Sequence, residues 1–428
     1  MRCMNSENQA LTSHNLDMLK VQLTSNDADD RRWAVYELEN YETSQVLDLL
    51  LEAIRDSHRA VREAASEVLE TADPHLCSQR LAPLLGSERI EVRNIVAGVL
   101  VKYGNSAVET LIDSLSDQNE DVRKFSSDIL GLARSVQAVP YLCNLANEDE
   151  VKNVAVSAVE ALGKIGQIEA LPTLMGIVES DSFMKPEAYE AIGLIGSPNS
   201  AKYLVSRLQP EDAISSFAIV DALGNLGDPS SIATLMDYLT KTLDFMQPKV
   251  VSAVLKIGRD SNRSVLEILS PLFKKVLIEG VEMGDRELEE LLLKQMHMGI
   301  PTDMIEYLYQ RIQSLPASII VALLKASREN KNYWDNIMAL ATHTDDWIAY
   351  TALEAFELMP IDLMGSHLIN TLENSSGIRL LAGMSVCENL QLLHTQPALF
   401  KLAAGDDREV GLEAQRILDS WQNVGQLG

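Results

Sequence analysis

The sequence is poor in aromatic residues and in cysteine, and each shortage narrows what the chain can be. Phe, Trp and Tyr make up 5% of the 428 residues and hydrophobic residues 46%, so Ala and Leu must provide much of the packing, which favours helix. The four cysteines are far apart and form no CxxC pair. This pattern predicts neither a disulfide framework nor a zinc site, and it suits a reducing, cytoplasmic location.

The chain also lacks a long apolar run and an excess of basic residues. Residues 1–20 contain Asn, Ser, Glu and Gln where a signal peptide would be apolar, and no window approaches the roughly 18 apolar residues of a membrane span. We therefore expect a soluble protein with no membrane insertion. Acidic residues outnumber basic ones by 62 to 36, for a net charge of -26. Such a surface repels nucleic acid and suits a basic protein segment, although acidity also simply keeps an exposed array soluble.

Motifs for catalysis and cofactor binding are missing as well. The sequence has no phosphate loop, no GxGxxG fingerprint and no GxSxG elbow, so the common nucleotide and acyl-transfer chemistries have no basis in it. Its seven histidines do not pair with carboxylates in a repeated ligand pattern. We therefore predict no enzyme activity, no cofactor and no metal site.

What the sequence does contain is a pattern that returns about every 31 residues. In residues 154–166, Val-Ala-Val-Ser-Ala-Val-Glu-Ala-Leu-Gly-Lys-Ile-Gly, apolar or small residues at positions 0, 4, 5, 8, 11 and 12 fall on one stripe of a helix, and the last Gly favours its termination. Position 0 recurs at Asp30, Val61, Val92, Val122, Val154, Met184, Ser215, Met246, Glu287, Ser318, Ile348, Ile378 and Val410. All steps are 30 to 32 residues except the one of 41 before Glu287.

A second, shorter stretch with apolar residues at helical spacing precedes these helices, for example in residues 107–115 and 138–145. Turn residues such as Ser116-Asp-Gln-Asn-Glu120 separate the two periods and suit the start of a second helix. Each repeat is therefore predicted to be two antiparallel helices, and the register predicts thirteen of them. Because one pair cannot bury its own apolar stripe, neighbouring repeats must stack.

Repeats of this length, with Asp-x-x-x-Asp-Val-Arg (Asp117 to Arg123) opening the second helix and Ala-Leu-Gly-x-Ile-Gly closing it, resemble HEAT repeats. They are most similar to the short bacterial type also found in phycobilisome lyases, from about residue 13 to residue 422. The resemblance implies an all-α fold, an α-solenoid superhelix of about thirteen two-helix HEAT repeats with the second helices on the concave side.

The predicted domains are the parts of the chain in which the repeats follow one another at 30 to 32 residues. Residues 1–12 are polar and are expected to be a disordered N-terminus. An N-terminal HEAT array is expected over residues 13–259 and a C-terminal HEAT array over residues 286–428. The longer step between them, residues 260–285, is interpreted as an insertion with a bend.

The resemblance also implies a ladder of ion pairs along the turns. Arg occupies position 1 in several second helices, and in some of them a carboxylate stands six residues earlier. Each guanidinium is therefore expected to form planar, charge-assisted hydrogen bonds to a carboxylate in its own repeat and in the next. The ladder residues are Arg31, Arg62, Arg93, Arg123 and Arg379, with Asp56, Asp117 and Glu373. The arginine is replaced at Ala155, Lys185, Ser216 and Gln247, where apolar packing alone must hold the repeats.

Position 6 lies on the second-helix side turned away from the apolar stripe, which in this family is the concave wall. It is acidic in Glu67, Asp128, Glu160, Glu190, Asp221 and Glu354, so a negative strip suited to a Lys/Arg-rich segment is predicted. The alternative is that these are ordinary exposed helix carboxylates. Four aromatic residues at positions 2 and 3, Trp33, Phe125, Phe217 and Tyr350, are candidates for partner contacts, or for packing between repeats.

The function predicted from these features is a non-enzymatic protein-binding scaffold or regulatory adaptor that captures a protein partner with a basic segment on its concave face. The alternative is a phycobilin-lyase-like or chaperone subunit, since the repeats resemble those of that family. Two enzymes of similar fold fit less well. The hydroxylase that acts on deoxyhypusine uses His-Glu dipeptides, which this chain lacks, and the alkylpurine DNA glycosylases need a basic concave face.

Overall fold

A computed structural model describes residues 15–180, 183–208, 212–261 and 264–424, and these residues form helices and turns without any strand. The predicted disordered N-terminus, residues 1–12, lies outside them. The chain divides into two compact blocks, Met1–Leu226 and Gly227–Gly428.

The N-terminal block contains seven helix pairs, which we number as repeats 1 to 7. The first helices cover 15–22, Thr43–Ala53, Pro74–Leu81, Val108–Ser114, Val139–Glu148, Leu171–Ser180 and Pro198–Arg207. The second helices are Ala28–Glu37, Arg59–Thr71, Ile90–Tyr103, Glu120–Leu132, Lys152–Ile165, Lys185–Ile195 and Ala213–Leu226. Short 3-10 turns flank several of these helices, such as Ile168–Ala170 before Leu171–Ser180.

The C-terminal block contains six helix pairs, repeats 8 to 13, which confirms the thirteen repeats expected from the sequence. Its first helices are Ile232–Leu239, Pro271–Glu282, Thr302–Gln310, Trp334–Leu340, Ile361–Asn374 and Gln396–Ala403. Its second helices are Gln247–Asp260, Arg286–Met298, Ala317–Ser327, Asp346–Glu354, Gly377–Asn389 and Arg408–Val424.

Within each block the second helices form one layer and the first helices another. Each second helix packs on the second helix of the next repeat in the same block, and in repeats 2 to 13 it also packs on the first helix of its own repeat. The residues of the predicted apolar stripe lie between them: Val154, Ala158 and Leu162 of repeat 5 are all buried. This is the arrangement expected when no single pair can bury its own apolar face.

Glycine has two separate uses in repeats 5 and 6. Gly166 and Gly196 end their helices in the left-handed conformation, with φ of 78° and 71°, as the repeat pattern predicts. Gly163 and Gly193 lie inside helices, where the second helix of the next repeat approaches closely. A Cβ on Gly163 would lie 2.8 Å from Ala191 Cα, and one on Gly193 would lie 2.6 Å from Ala222 Cβ. Glycine against alanine therefore holds these helices close together where the arginine ladder is interrupted.

The segment 260–285, predicted to be an insertion with a bend, contains the end of Gln247–Asp260 and a longer connection with a 3-10 turn at Leu266–Ile268. The helix Pro271–Glu282 follows as the first helix of repeat 9. The division between the compact blocks falls earlier, between Leu226 and Gly227. The bend stays a prediction.

One stretch of the described residues, Ile90–Ser114, is long and apolar enough by composition to cross a membrane, contrary to the sequence expectation. It is two helices from neighbouring repeats, separated by a 3-10 turn that begins at Gly104 with φ of 53°. Ile90–Tyr103 packs in the second-helix layer and Val108–Ser114 in the first. The stretch is apolar because each helix contributes its own buried stripe.

Candidate functional site

The arginine ladder is clearest between repeats 1 and 2. Arg31 Nε donates to Asp56 Oδ2 at 2.8 Å and Nη2 donates to Asp56 Oδ1 at 2.9 Å, while Nη1 donates to the carbonyl of Ser25 at 2.8 Å. Both side chains of the pair are largely buried, at 13% and 14% exposure. The bonds from Arg31 hold the pKa of Asp56 below its usual value. This bidentate pair joins the two repeats.

Arg123 makes the same contacts between repeats 4 and 5, with a partner that the sequence analysis missed. Its Nε and Nη2 donate to Asp149 at 2.7 and 3.0 Å. Asp117, the predicted partner, contributes its backbone carbonyl at 2.9 Å, while its carboxylate accepts the N–H of Asn119 at 2.8 Å. The carboxylate six residues before the arginine therefore caps the turn. The ion pair uses the Asp 25 or 26 residues after the arginine, a spacing that Arg31 and Asp56 share.

Arg62 and Arg93 keep only the backbone part of this pattern. Arg62 Nη1 donates to the carbonyl of Asp56 at 2.9 Å, and Arg93 Nη1 donates to that of Ser87 at 2.6 Å. The acceptors Asp56 and Asp149 each stand six residues before position 1 of their own repeat, and Ser87 has this place in repeat 3, so the equivalent position offers Arg62 no carboxylate. The guanidinium of Arg93 instead lies 5.7 Å from the centre of the Phe125 ring.

The pair predicted between Arg379 and Glu373 is wrong. Arg379 Nε donates to Asp346 Oδ1 at 2.7 Å, and its Nη2 donates to the carbonyl of Thr344 at 2.7 Å. Glu373 accepts a bond from Lys401 Nζ at 2.9 Å. In the C-terminal block the arginine therefore reaches back to the preceding repeat, and the carboxylate bonds forward to the next one.

The position-6 side chains form a row along the second helices of the N-terminal block, with a gap at repeat 3, where position 6 is Gly98. Tyr36, at position 6 of repeat 1, donates its hydroxyl hydrogen bond to Glu67 Oε2 at 2.7 Å, so position 6 of one repeat reaches position 6 of the next. Glu67, Glu160 and Glu190 are exposed, whereas Asp128 is half-buried. Asp221 is also half-buried and accepts a bond from Asn225 at 3.0 Å, and Glu354 of the C-terminal block is exposed.

The row is less uniformly negative than the sequence analysis predicted. Burial raises the pKa of Asp128, and Glu160 of the next repeat adds to this effect, while Lys124 and Lys164 oppose it. Lys164 Nζ lies 3.5 Å from Glu160 Oε2. In repeats 4 and 5 the two carboxylates therefore have two ammonium groups beside them. Because Lys164 follows Glu160 by four residues on one helix face, the sequence does contain a signal for this neutralisation.

The four aromatic candidates divide into two exposed and two half-buried residues. The Trp33 side chain is 51% exposed and that of Phe217 is 47% exposed. Phe125 is half-buried, with Lys124 Nζ 5.2 Å from its ring centre. Tyr350 is also half-buried, and a hydrogen bond to Glu354 raises its pKa. Tyr36, whose side chain is 40% exposed, is an aromatic residue of this face that the sequence analysis did not select.

No group of three or more His, Cys, Asp or Glu that could hold a metal ion occurs within residues 15–180, 183–208, 212–261 and 264–424. The part of the chain that the structure describes therefore offers a surface of charged and aromatic side chains as its candidate site. The glutamates of this surface lie on the exposed side of helices whose opposite side is packed.

Helix pairs stacked in two layers define a tandem helical-repeat protein, an α-solenoid. HEAT repeats are found among these helix pairs. Residues 16–100 and 108–185 match the family model of HEAT repeats, and residues 217–241 match that of the PBS lyase HEAT-like repeat. These matches confirm the resemblance drawn from the sequence. No curated protein matches the chain in sequence.

Solved structures of importin-beta share the fold over most of the chain. The complex of Kap95p with RanGDP has 12% sequence identity and a TM-score of 0.52, over 96% of this chain and 66% of that one. Yeast importin-beta (Kap95p) has 12% identity and a TM-score of 0.54, over 91% of this chain and 64% of that one. The chain thus spans about two thirds of the length of these structures, and at this identity the likeness shows the fold alone.

Proposed function

We propose that the protein is a non-enzymatic scaffold or regulatory adaptor that captures a protein partner on the exposed face of its second helices. The observation that carries this proposal is the row of position-6 side chains in the N-terminal block, which is interrupted at Gly98 of repeat 3 and includes the exposed glutamates Glu67, Glu160 and Glu190. A surface to which six of the seven N-terminal repeats contribute a side chain suits an elongated partner segment, because each such repeat adds a contact. The remaining carboxylates favour a basic segment.

The fold is consistent with this role. Kap95p, which has a similar fold, is a protein that binds another protein, RanGDP. The wide spacing of the cysteines fits a reducing compartment, and we propose that the protein acts in the cytoplasm.

The test is a charge reversal with a matched control. Changing Glu67, Glu160 and Glu190 to Lys alters three exposed side chains of the second-helix face. The control changes three exposed glutamates away from the second helices to Lys, and so adds the same charge to the same block: Glu52 and Glu109 of first helices, and Glu169 of the 3-10 turn Ile168–Ala170.

Each variant is used for affinity capture from a lysate of the native source, followed by mass spectrometry. We expect the partner recovered with the unchanged chain to be lost with the second-helix variant and retained with the control. Circular dichroism must show that both variants are as helical as the unchanged chain. Equal recovery of the partner by the second-helix variant would contradict the proposal.

A second candidate function is favoured by one observation, the match of residues 217–241 to the PBS lyase HEAT-like repeat. In that case the protein is a subunit or chaperone of a phycobilin lyase. The structure of CpcE and CpcF of phycocyanin lyase from Nostoc sp. PCC7120 has 19% identity over 64% of this chain, but its TM-score of 0.30 is too low to support the idea. Co-expression with a bilin distinguishes the candidates, because only a bilin-binding protein acquires visible absorbance.

A further inference from the structure

The second helix of repeat 11 begins with an exposed tryptophan. Trp347 is the second residue of the helix Asp346–Glu354, and its side chain is 62% exposed. The second helices of repeats 10 and 12, Ala317–Ser327 and Gly377–Asn389, both pack on this helix. The Trp347 ring is therefore accessible with both neighbouring repeats in place.

A second aromatic ring lies against Trp347. The centre of the Tyr350 ring is 5.8 Å from that of Trp347, and the two ring planes are inclined at 73°, an edge-to-face arrangement. Tyr350 follows Trp347 by three residues and Glu354 follows Tyr350 by four, so the three side chains lie on one face of the helix. This face includes position 6, which is Glu354 in this repeat.

Two carboxylates adjoin the Tyr350 side chain. A hydrogen bond to Glu354 raises the pKa of Tyr350, and the negative charge of Glu357 adds to the rise. Glu357 also accepts a hydrogen bond from Asn389 Nδ2 of the next repeat at 2.7 Å. Both glutamates are exposed. The rings and the carboxylates thus form one continuous patch, which consists of Trp347, Tyr350, Glu354 and Glu357.

The two carboxylates of this patch bond to neutral groups. Their donors are the Tyr350 hydroxyl and the Asn389 amide. In repeat 5, by contrast, the position-6 carboxylate of Glu160 has Lys164 Nζ 3.5 Å away. Because a neutral donor leaves the charge of a carboxylate in place, the patch of repeat 11 stays negative and attracts a cation.

An arginine also reaches the start of this helix. Arg379 of repeat 12 donates from Nε to Asp346 Oδ1 at 2.7 Å and from Nη2 to the carbonyl of Thr344 at 2.7 Å. Its positive charge is thereby offset by the carboxylate of Asp346. The charges of Glu354 and Glu357 remain, so the patch suits a cation supplied by another molecule.

We propose that Trp347, Tyr350, Glu354 and Glu357 form a docking site for an arginine side chain of the protein partner, with the guanidinium against the two rings and attracted by the two carboxylates. This site, called the Trp347 site below, rests on the proposed function and names one anchor of the partner. Tryptophan is the aromatic residue that attracts cations most strongly. Arginine suits the site better than lysine, because its planar guanidinium stacks on aromatic rings and is more weakly hydrated than an ammonium group.

The test uses the full chain labelled with 5-fluorotryptophan and observed by fluorine NMR. The four tryptophans of the sequence give four resonances, and the Trp347→Phe variant assigns one of them to Trp347. The probe is a capped Gly-Arg-Gly-Ser peptide. One control peptide replaces arginine with lysine, which keeps the charge without the planar group. The other replaces it with citrulline, which keeps the planar group without the charge.

We expect the arginine peptide to shift the Trp347 resonance in a saturable way, and both control peptides to shift it much less at the same concentration and ionic strength. Trp334 and Trp421 are buried, so their resonances should stay in place. The Glu354→Gln variant should bind the arginine peptide about two- to fivefold more weakly, as expected for one exposed ionic contact. The matched control Glu306→Gln, which changes an exposed glutamate in the first helix of repeat 10, should bind it unchanged.

Three results would overturn the Trp347 site: an equal shift with either control peptide, a shift that does not saturate, or equal binding by Glu354→Gln and the unchanged chain. A shift of the Trp347 resonance with protein concentration alone would show that a second copy covers the rings, and would also overturn it. None of these results affects the proposed function, which fails if charge reversal at Glu67, Glu160 and Glu190 in the other block leaves partner capture intact.

Discussion

The close contact between second helices leads us to expect opposite effects on stability when each of two helical glycines, Gly193 and Gly98, is replaced by alanine. A methyl group on Gly193 would lie 2.6 Å from Ala222 Cβ and 2.9 Å from Ala222 Cα, well inside the carbon–carbon distance of about 3.5–4.0 Å at which contacts are favourable. Because Ala222 belongs to the neighbouring helix, the whole helix has to move. Gly98 also lies in a second helix, but a Cβ there has no atom within 4 Å.

The magnitudes follow from two opposing effects. Overpacking costs about 1–3 kcal/mol, and replacing Gly by Ala in a helix gains about 0.8–1.0 kcal/mol. Gly193→Ala should therefore lower the free energy of unfolding by about 1 kcal/mol, and Gly98→Ala should raise it by about 1 kcal/mol. The two Gly→Ala substitutions should thus differ by about 2 kcal/mol in their effect on the free energy of unfolding, and the cause of this difference is the presence of the neighbouring helix beside Gly193.

The assay is urea unfolding followed by far-ultraviolet circular dichroism. Since long repeat arrays can unfold in steps, hydrogen exchange of the helix Ala213–Leu226 should accompany it. We expect faster exchange in this helix for Gly193→Ala and no change there for Gly98→Ala. If both substitutions stabilise the protein equally, the close packing of glycine on alanine is refuted.

The remaining predictions concern the ladder. Because its ion pair lowers the pKa of Asp56, the pair contributes stability that is present above the usual carboxyl value of 3.8 and is lost as pH falls through the lower folded pKa. The unfolding midpoint of the chain should thus fall less steeply with acid in Asp56→Asn than in the unchanged protein; identical slopes would argue against the pair. Arg123→Lys should cost about 1–3 kcal/mol, as for hydrogen bonds to charged groups, since lysine cannot reproduce the fork to Asp149. Arg62→Lys should lower the free energy of unfolding less, because only backbone carbonyls accept hydrogen bonds from Arg62. A lower urea midpoint for Arg62→Lys than for Arg123→Lys would contradict this.

The repeat architecture could be predicted from the sequence because it depends on contacts that recur at one spacing. Each second helix meets the same neighbours, so the apolar stripe that buries Val154 and Leu162 is present in nearly every copy. Helix ends such as Gly166 were predictable for a local reason, since only the backbone conformation of one residue is involved.

The side-chain partners were harder to predict because they depend on which repeat a side chain reaches. Asp117 is six residues from Arg123 and Asp149 is 26 residues away, yet the guanidinium bonds to the carboxylate of Asp149. Stacking places the next repeat's turn beside the arginine, while the nearer carboxylate is used by the turn itself. The same effect places Lys164 beside Asp128 of the preceding repeat.

The central claim is that the exposed face of the second helices in the N-terminal block holds a protein partner. Carbodiimide labelling of carboxylates in the captured complex, read by mass spectrometry, tests it most directly. We predict that Glu67, Glu160 and Glu190 react more slowly when the partner is bound, while the exposed first-layer glutamates Glu52 and Glu109 react as before. Protection of Glu52 and Glu109 with unchanged labelling of the other three would contradict the claim.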